Sequence, residues 1–196
     1  MREDAVAQVE VPARKLTYEE WVEGEVVVLG PASRRHQEVV DFLVQTLGVF
    51  VQARGLGVVL SAPFQMKTGP DLPGREPDVL FVARENLGRL RDRYLDGPAD
   101  LVVEVSSPDS RLRDRGEKLA EYEAGGVREY WVLDPEARRA DFCVLGADGR
   151  YDRVRSDADG VYRSRVVEGF WVQPEWMWQD PLPPVLDVLR ELGLVG

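Results

Sequence analysis

Residues 98–135, PADLVVEVSSPDSRLRDRGEKLAEYEAGGVREYWVLDP, decide the predicted fold because they show the pattern of a strand, a helix and a second strand. The first segment, residues 100–106, is almost continuously apolar and holds one carboxylate in its middle, Glu104. Such a run is typical of a strand that is covered on both faces, as in the parallel part of an α/β sheet. An ionised carboxylate is costly to bury alone. We therefore expect a metal ion or a cationic group beside Glu104.

The helix and the second strand of this stretch have visible limits. The helix is predicted over residues 110–124, and the Gly125-Gly126 pair that follows is typical of a helix end. The next strand is predicted over residues 129–133, EYWVL, and is ended by Asp134-Pro135. The side of the helix that should pack on the sheet is expected to present Leu112, Leu119 and Tyr122.

Upstream of this stretch, the sequence predicts two helices and three β segments. Residues 17–20, TYEE, match a capping box and predict a short helix that carries Trp21 and Val22. A strand is predicted over residues 25–29, and β segments over residues 57–66 and 78–82. The second helix is predicted from Ser33 or Arg34 to about residue 52, with an inward stripe of His36, Val40, Leu43, Leu47 and Phe50.

Downstream, the pattern changes to short strands separated by turns. Strands are predicted over residues 140–145, 151–155 and 161–167, with hairpin turns at Asp148-Gly149 and Asp159-Gly160. This part is therefore expected to be an antiparallel meander. A short helix should follow, with Leu182, Leu186, Leu189 and Gly193 along one side. Nothing in the pattern divides the chain, so residues 1–196 are predicted to form one α/β domain, with a core over about 17–135 and the meander and helix over about 136–196.

Composition limits the possible functions. The formal net charge of −10 over 196 residues argues against a protein that coats nucleic acid through a broad positive surface, although it does not exclude a nucleic-acid enzyme. The single cysteine, Cys143, permits no internal disulfide and gives no zinc-ligand spacing. No apolar run is long enough to cross a bilayer, and the N-terminal residues do not resemble a signal peptide. We therefore expect a cytoplasmic protein without a membrane partner.

Four polar residues of the predicted core form a possible site: Asp78, Glu104, Ser106 and Lys118. Side chains alternate along a strand, so Glu104 and Ser106 should point to the same side. The strand that begins at Asp78 should neighbour the Glu104 strand if consecutive strands pair, and the returning helix should bring Lys118 to the sheet. Two carboxylates suit Mg²⁺ or Mn²⁺, with the backbone carbonyl of Val105 as a third ligand, and a lysine can assist the attacking water.

Three of these residues, and His36 on the predicted second helix, also have a structural interpretation. Asp78 could be a turn residue after a proline, and Ser106 could cap the turn into the helix. Lys118 could form an exposed pair with Asp114 at i, i+4 spacing. His36, on an apolar helix stripe, is more often a packed core histidine than a catalytic group.

The segments EPDVLFV (76–82), LVVEVSSPDS (101–110) and DRGEKLAEYEAGGVREYWVLDP (114–135) resemble the Uma2 (DUF820) family, a branch of the PD-(D/E)xK restriction-endonuclease-like superfamily. The resemblance covers roughly residues 36–135. It implies an αβββαβ core, a mixed sheet flanked by helices, to which the meander would be an antiparallel extension. It also implies a metal-dependent phosphodiesterase site, with Asp78 at the acidic position of the PD motif and Glu104 at the acid of the (D/E)xK element.

One position departs from the superfamily's pattern. Its lysine normally lies two residues after the second acid, where this chain has Ser106. Lys118 looks like the migrated lysine of some branches. His36 and Glu38 lie on the first helix, where the superfamily often supplies an accessory acid. The resemblance further implies a homodimer, because small nucleases of this fold often act as dimers.

Three functions follow as hypotheses. The first is a Mg²⁺- or Mn²⁺-dependent nuclease that acts on DNA. The second is a catalytically silent module of the same fold that binds nucleic acid or protein, as Ser106 and the negative net charge suggest. The third is a metal-free enzyme that uses its carboxylates for acid–base chemistry on a small molecule.

Overall fold

The computed structural model describes residues 18–22, 25–29 and 32–195. The chain divides into two compact units, Met1–Ala32 and Ser33–Gly196. In the described residues, none of the helices has the length and apolar character that a membrane span requires. The predicted single domain and cytoplasmic location stay predictions.

The first unit contains a hairpin of two antiparallel strands, β1 (Tyr18–Val22) and β2 (Glu25–Leu29), paired from Tyr18↔Leu29 to Val22↔Glu25. The predicted strand over residues 25–29 is confirmed. The predicted short helix that carries Trp21 and Val22 is wrong, because both residues lie in β1. Thr17, the first residue of the expected capping box, lies outside the described residues. Each residue of β1 has a partner in the valine-rich β2. Aromatic and β-branched residues such as Trp21 and Val22 also favour strands.

The second unit contains four helices and eleven strands in its described residues. The helices are α1 (Arg34–Arg54), α2 (Arg111–Arg115), α3 (Glu117–Gly125) and α4 (Val185–Glu191). The first strands are β3 (Gly57–Ser61), β4 (Gln65–Lys67), β5 (Gly74–Arg75), β6 (Val79–Ala83), β7 (Tyr94–Leu95) and β8 (Leu101–Val105). The remaining strands are β9 (Glu129–Asp134), β10 (Arg139–Leu145), β11 (Tyr151–Val154), β12 (Tyr162–Arg163) and β13 (Trp171–Val172). Residues Arg84–Arg89 and Pro174–Trp178 form 3₁₀ turns.

A mixed six-stranded sheet in the order β11-β10-β9-β8-β6-β3 forms the centre of this unit. Strands β8 and β9 are parallel, and the other neighbours are antiparallel. The element order α1-β3-β6-β8-α2/α3-β9 confirms the predicted αβββαβ core. Every residue of β6, β8 and β9 is buried, as a strand covered on both faces requires.

The two faces of the sheet pack against different elements. On one face, the stripe of α1 joins residues of α4 and of the C-terminal segment in a large apolar core. On the other face, Tyr122 of α3 and residues of the three-stranded sheet β5-β4-β7 form a smaller core. Helix α1 begins after Ser33, whose hydroxyl accepts a hydrogen bond from the N–H of His36, and ends at Gly55 in the left-handed conformation (φ 62°).

The predicted helix over residues 110–124 is two helices, α2 and α3, with a break at Gly116. A Cβ at Gly116 would lie 2.8 Å from the carbonyl oxygen of Leu112, so this close approach requires glycine. The expected inward side is wrong at Leu112, which is 90% exposed, and right at Tyr122, which is buried.

The antiparallel extension is confirmed for β10 and β11, but not for the whole of residues 161–167. Only Tyr162 and Arg163 there are strand residues, and they pair with β13 in a separate two-stranded sheet. The reason is Glu129, whose Oε2 accepts hydrogen bonds from the backbone N–H groups of Arg165 and Val166. Those donors are bound to a carboxylate and cannot continue a ladder.

The C-terminal helix is confirmed, but its predicted stripe is wrong at Leu186 and at Gly193, which follows the helix and is exposed. Leu186 is 58% exposed, whereas Val188, Leu189 and Leu192 are buried. The helix therefore packs on α1 through the turn that follows Leu186.

Candidate active site

The pairing of β6 with β8 brings Asp78 beside Glu104. Val79 pairs with Val103, and the same antiparallel register places Asp78, the residue before β6, opposite Glu104. The Oδ2 atom of Asp78 accepts a hydrogen bond from the N–H of Val105 at 2.7 Å. Glu104 is 3% exposed. The predicted pairing of the strand that follows Asp78 with the Glu104 strand is therefore confirmed.

Lys118 reaches the same point from helix α3. Its Nζ lies 2.8 Å from Oε2 of Glu104 and 3.4 Å from Oδ1 of Asp114. The side chains of Lys118 and Asp114 are only 7% and 2% exposed, so the interpretation of this pair as an exposed i, i+4 contact is wrong. The cationic group that a buried Glu104 requires is the ammonium of Lys118.

Tyr122 and Asp114 also belong to this cluster, although the sequence predicted other roles for them. Tyr122, expected as an apolar packing residue, donates its hydroxyl hydrogen to Oε1 of Glu104 at 2.8 Å. Asp114 accepts hydrogen bonds at Oδ2 from the hydroxyls of Ser106 (2.6 Å) and Ser110 (2.7 Å). The i, i+4 spacing of Lys118 and Tyr122 in α3 was the available signal that these two share one helix face, whereas Asp114 reaches the cluster from α2.

The accessory residues of helix α1 differ in their contacts. The Nε2 atom of His36 lies 3.2 Å from Oδ2 of Asp78, so this histidine is in contact with the cluster. Glu38 instead pairs with Arg34 at 3.1 Å and with Arg35 at 3.7 Å, and its side chain is 36% exposed. The catalytic roles of these residues and of Ser106 stay predictions.

Burial and mutual repulsion shift the pKa values of the cluster. Burial raises the pKa of Glu104 to about 7, and the charges of Asp78 and Asp114 act in the same direction, while Lys118 opposes them. Burial lowers the pKa of Lys118, but Glu104 and Asp114 outweigh this effect and the net pKa is raised. The pKa of His36 is also raised, because Asp78 outweighs the opposing effect of burial.

The donor set of the cluster can be compared with the needs of a divalent cation. In residues 18–22, 25–29 and 32–195, no three His, Cys, Asp or Glu side chains are arranged to hold a metal ion. Mg²⁺, however, usually binds through one or two carboxylates and keeps several waters, which suits the pair Asp78 and Glu104. Three carboxylates also surround one ammonium, so the cluster has an excess of negative charge. The chemistry of these donors fits a hard divalent ion.

The sequence matches the model of the family Uma2, described as "Putative restriction endonuclease", over residues 6–175. The chain therefore belongs to the Uma2 family. No curated protein matches the sequence.

The fold also matches a solved structure, the crystal structure at 1.96 Å resolution of "a putative nuclease belonging to DUF820" from Anabaena variabilis. The TM-score is 0.67, and the match covers 82% of this chain and 89% of the other at 12% sequence identity. At this identity the match shows a shared fold, which agrees with the restriction-endonuclease-like class.

Proposed function

We propose that this member of the Uma2 family is a divalent-metal-dependent nuclease that hydrolyses phosphodiester bonds in DNA. The contact between Lys118 Nζ and Glu104 Oε2, 2.8 Å apart and buried, is the observation that carries the proposal. It supplies an amine beside the second acid although Ser106 occupies the usual lysine position. The family and the shared fold support the nuclease class.

Asp78, Glu104 and the backbone carbonyl of Val105 would hold Mg²⁺ or Mn²⁺. When bound, such an ion polarises the phosphoryl oxygens and makes a coordinated water a better nucleophile. The remaining contacts fix the ligands in place. His36 and the N–H of Val105 orient the carboxylate of Asp78, and Tyr122 orients that of Glu104.

Lys118 has two tasks under this proposal. Its raised pKa keeps the proton on Nζ at neutral pH, so the group acts as a cation and a hydrogen-bond donor. As a donor it can orient the attacking water, and as a cation it can offset the negative charge that develops on the phosphoryl oxygens. Asp114 places a second carboxylate beside this ammonium, with Oδ1 3.4 Å from Nζ.

Cleavage of a DNA duplex in Mg²⁺, Mn²⁺ and EDTA tests the assignment. Wild-type protein should cleave only with a divalent ion, and Glu104→Gln and Asp78→Asn should reduce the rate by at least about 100-fold. Lys118→Met should do the same. Matched controls are Glu85→Gln, at an exposed acid, and Lys67→Met, at the exposed lysine that pairs with Asp96. Cleavage that persists in Glu104→Gln would remove the site assignment.

A silent binding module is the second candidate, and one observation favours it. Both oxygens of Glu104 already have a partner in the protein, Tyr122 and Lys118, so this carboxylate is satisfied without a cation. This candidate predicts duplex binding without hydrolysis in either metal.

The predicted homodimer also stays a proposal, which light scattering of the purified protein tests.

A further inference from the structure

A groove lined with arginines lies on the antiparallel extension. Its volume is about 590 Å³, and it is formed by the turn between β9 and β10, by the end of β11 and by the C-terminal 3₁₀ turn. Its basic lining residues are Arg138, Arg139, Arg153 and Arg155, and Trp178 contributes an aromatic wall. The site proposed above includes none of these residues.

The arginines of the groove are only partly neutralised. Asp141 pairs with Arg139 at 2.8 Å and with Arg153 at 3.6 Å. In the described part of the chain, no ion pair joins Arg138 or Arg155 to an acid. With Asp141 and Glu175 as its acidic members, the groove keeps a local positive charge on a chain whose net charge is −10.

The backbone at the rim of the groove is unusual. Arg138 has a positive φ of 49° and is alone among the described non-glycine residues in this respect. A side chain in the left-handed region costs free energy unless the surroundings require it, and such residues are found preferentially at binding sites.

The groove lies along the same edge of the sheet as the candidate active site. Val105 pairs with Leu133, so the carboxyl ends of β8 and β9 coincide, and the β9–β10 turn follows directly. Two strand spacings, each about 4.8 Å, separate β8 from β10. Trp178 of the groove packs on the face of the sheet that α1 covers, whereas Glu104 faces Tyr122 of α3 on the other face. Between the groove and the candidate active site, Arg111 pairs with Asp134 and Arg115 with Asp141. Acids neutralise these two arginines, so neither adds net positive charge to the groove.

We propose that this arginine groove binds the phosphodiester backbone of the DNA duplex beside the candidate active site. The identity of the substrate rests on the proposed function. Arginine suits this task because its planar guanidinium can bind phosphate oxygens through two parallel hydrogen bonds. Contacts of this kind position a duplex without reading its sequence. Local positive charge also resolves the difficulty that an acidic protein has in approaching DNA.

Duplex binding by the Glu104→Gln protein in EDTA separates this proposal from catalysis. Anisotropy of a fluorescein-labelled duplex is measured over a series of salt concentrations. In this background, Arg138→Gln/Arg155→Gln removes two expected phosphate contacts, and Arg84→Gln/Arg93→Gln removes the same charge elsewhere. Arg84 follows β6 at the opposite edge of the sheet, and Arg93 is 91% exposed.

Each lost phosphate contact lowers the slope of log K against log salt by about 0.9. The groove variant should therefore lose about 1.8 from the slope and bind roughly 60-fold more weakly at 0.1 M salt, while the control variant should change little. Three results would refute DNA binding by the groove: equal losses of affinity in both variants, an unchanged salt slope in the groove variant, or no duplex binding at all. If binding depends on the groove but the wild-type protein never cleaves, the nuclease proposal fails and the groove stands.

Discussion

The substitution Glu104→Gln should change how the stability of the protein depends on pH. Glutamine keeps the size of the side chain and resembles the protonated acid, but it cannot ionise. Glu104 is buried, and its pKa is raised from 4.5 to about 7, with burial as the main cause. The folded protein therefore binds a proton more tightly than the unfolded chain does. Wild-type stability should fall as the pH rises from about 4.5 to about 7 and should then level off.

The magnitude follows from the difference between the two pKa values. Each pH unit in this window is worth about 1.4 kcal/mol, so the full loss of unfolding free energy is about 3 kcal/mol. Between pH 5 and pH 8, part of the window is already passed, and about 2–3 kcal/mol remains. The raised pKa of His36 acts in the same direction, because its stabilising contribution is present below pH 6.5 and is lost as the pH rises through the folded pKa. His36 titrates in both proteins, but the charge of Glu104 contributes to its raised pKa, so that rise should be smaller in Glu104→Gln.

Urea unfolding at pH 5 and pH 8 measures the effect. The stability of Glu104→Gln relative to wild type should increase by about 2–3 kcal/mol between the two pH values, and the exposed control Glu85→Gln should show no such change. A constant difference between Glu104→Gln and wild type would refute the inferred pKa. At pH 8, Mg²⁺ at 100 times its Kd should stabilise wild type by about 2.7 kcal/mol and the variant far less, because the ion would need the ionised Glu104.

Three further predictions concern other buried groups. Arg75→Met should lower the unfolding free energy by about 3 kcal/mol in urea titrations. The reason is that the buried guanidinium binds Glu121 and the half-exposed Glu117 of helix α3. A loss below about 1 kcal/mol would contradict this role. Glu129→Gln should lower the unfolding free energy by about 3 kcal/mol or more, because the carboxylate accepts five hydrogen bonds that an amide cannot all accept. Unchanged stability in urea titrations would contradict this role of the carboxylate. Cys143 is buried, and burial raises its pKa to about 11, so Ellman's reagent should react with no thiol in the native protein and with one per chain in urea; rapid native labelling would contradict the burial.

The local pattern of apolar residues in the sequence predicted most helices and strands of the core. The apolar run of β8 and the helical spacing in α1 identify their elements because burial on two faces, or on one stripe, repeats at a fixed period. The helical spacing predicted the wrong side for Leu112. It lies seven residues before Leu119, and two such positions share a face only if the helix is continuous. The break at Gly116 separates them, and no periodicity in the sequence marks that break.

The sequence could predict the meeting of Asp78, Glu104 and Lys118, because strand pairing and a short crossover leave few alternatives. The contacts of Glu129 could not be predicted in this way. Its donors include residues 33 to 37 positions later in the chain, on a segment with little regular structure. Such contacts depend on tertiary packing. The same packing explains why residues 164–167 are not part of a strand, contrary to the prediction.

The departure at Ser106 and the retention of Lys118 belong to one arrangement. Ser106 points to the side of Glu104, and its hydroxyl binds Oδ2 of Asp114, while Oδ1 of the same carboxylate lies 3.4 Å from Lys118. A longer side chain at 106 would have to share this buried space with Asp114. Under the proposed function, the small serine leaves room for the carboxylate that helps to hold the amine of the helix. The ammonium beside Glu104 comes from the helix instead of the strand.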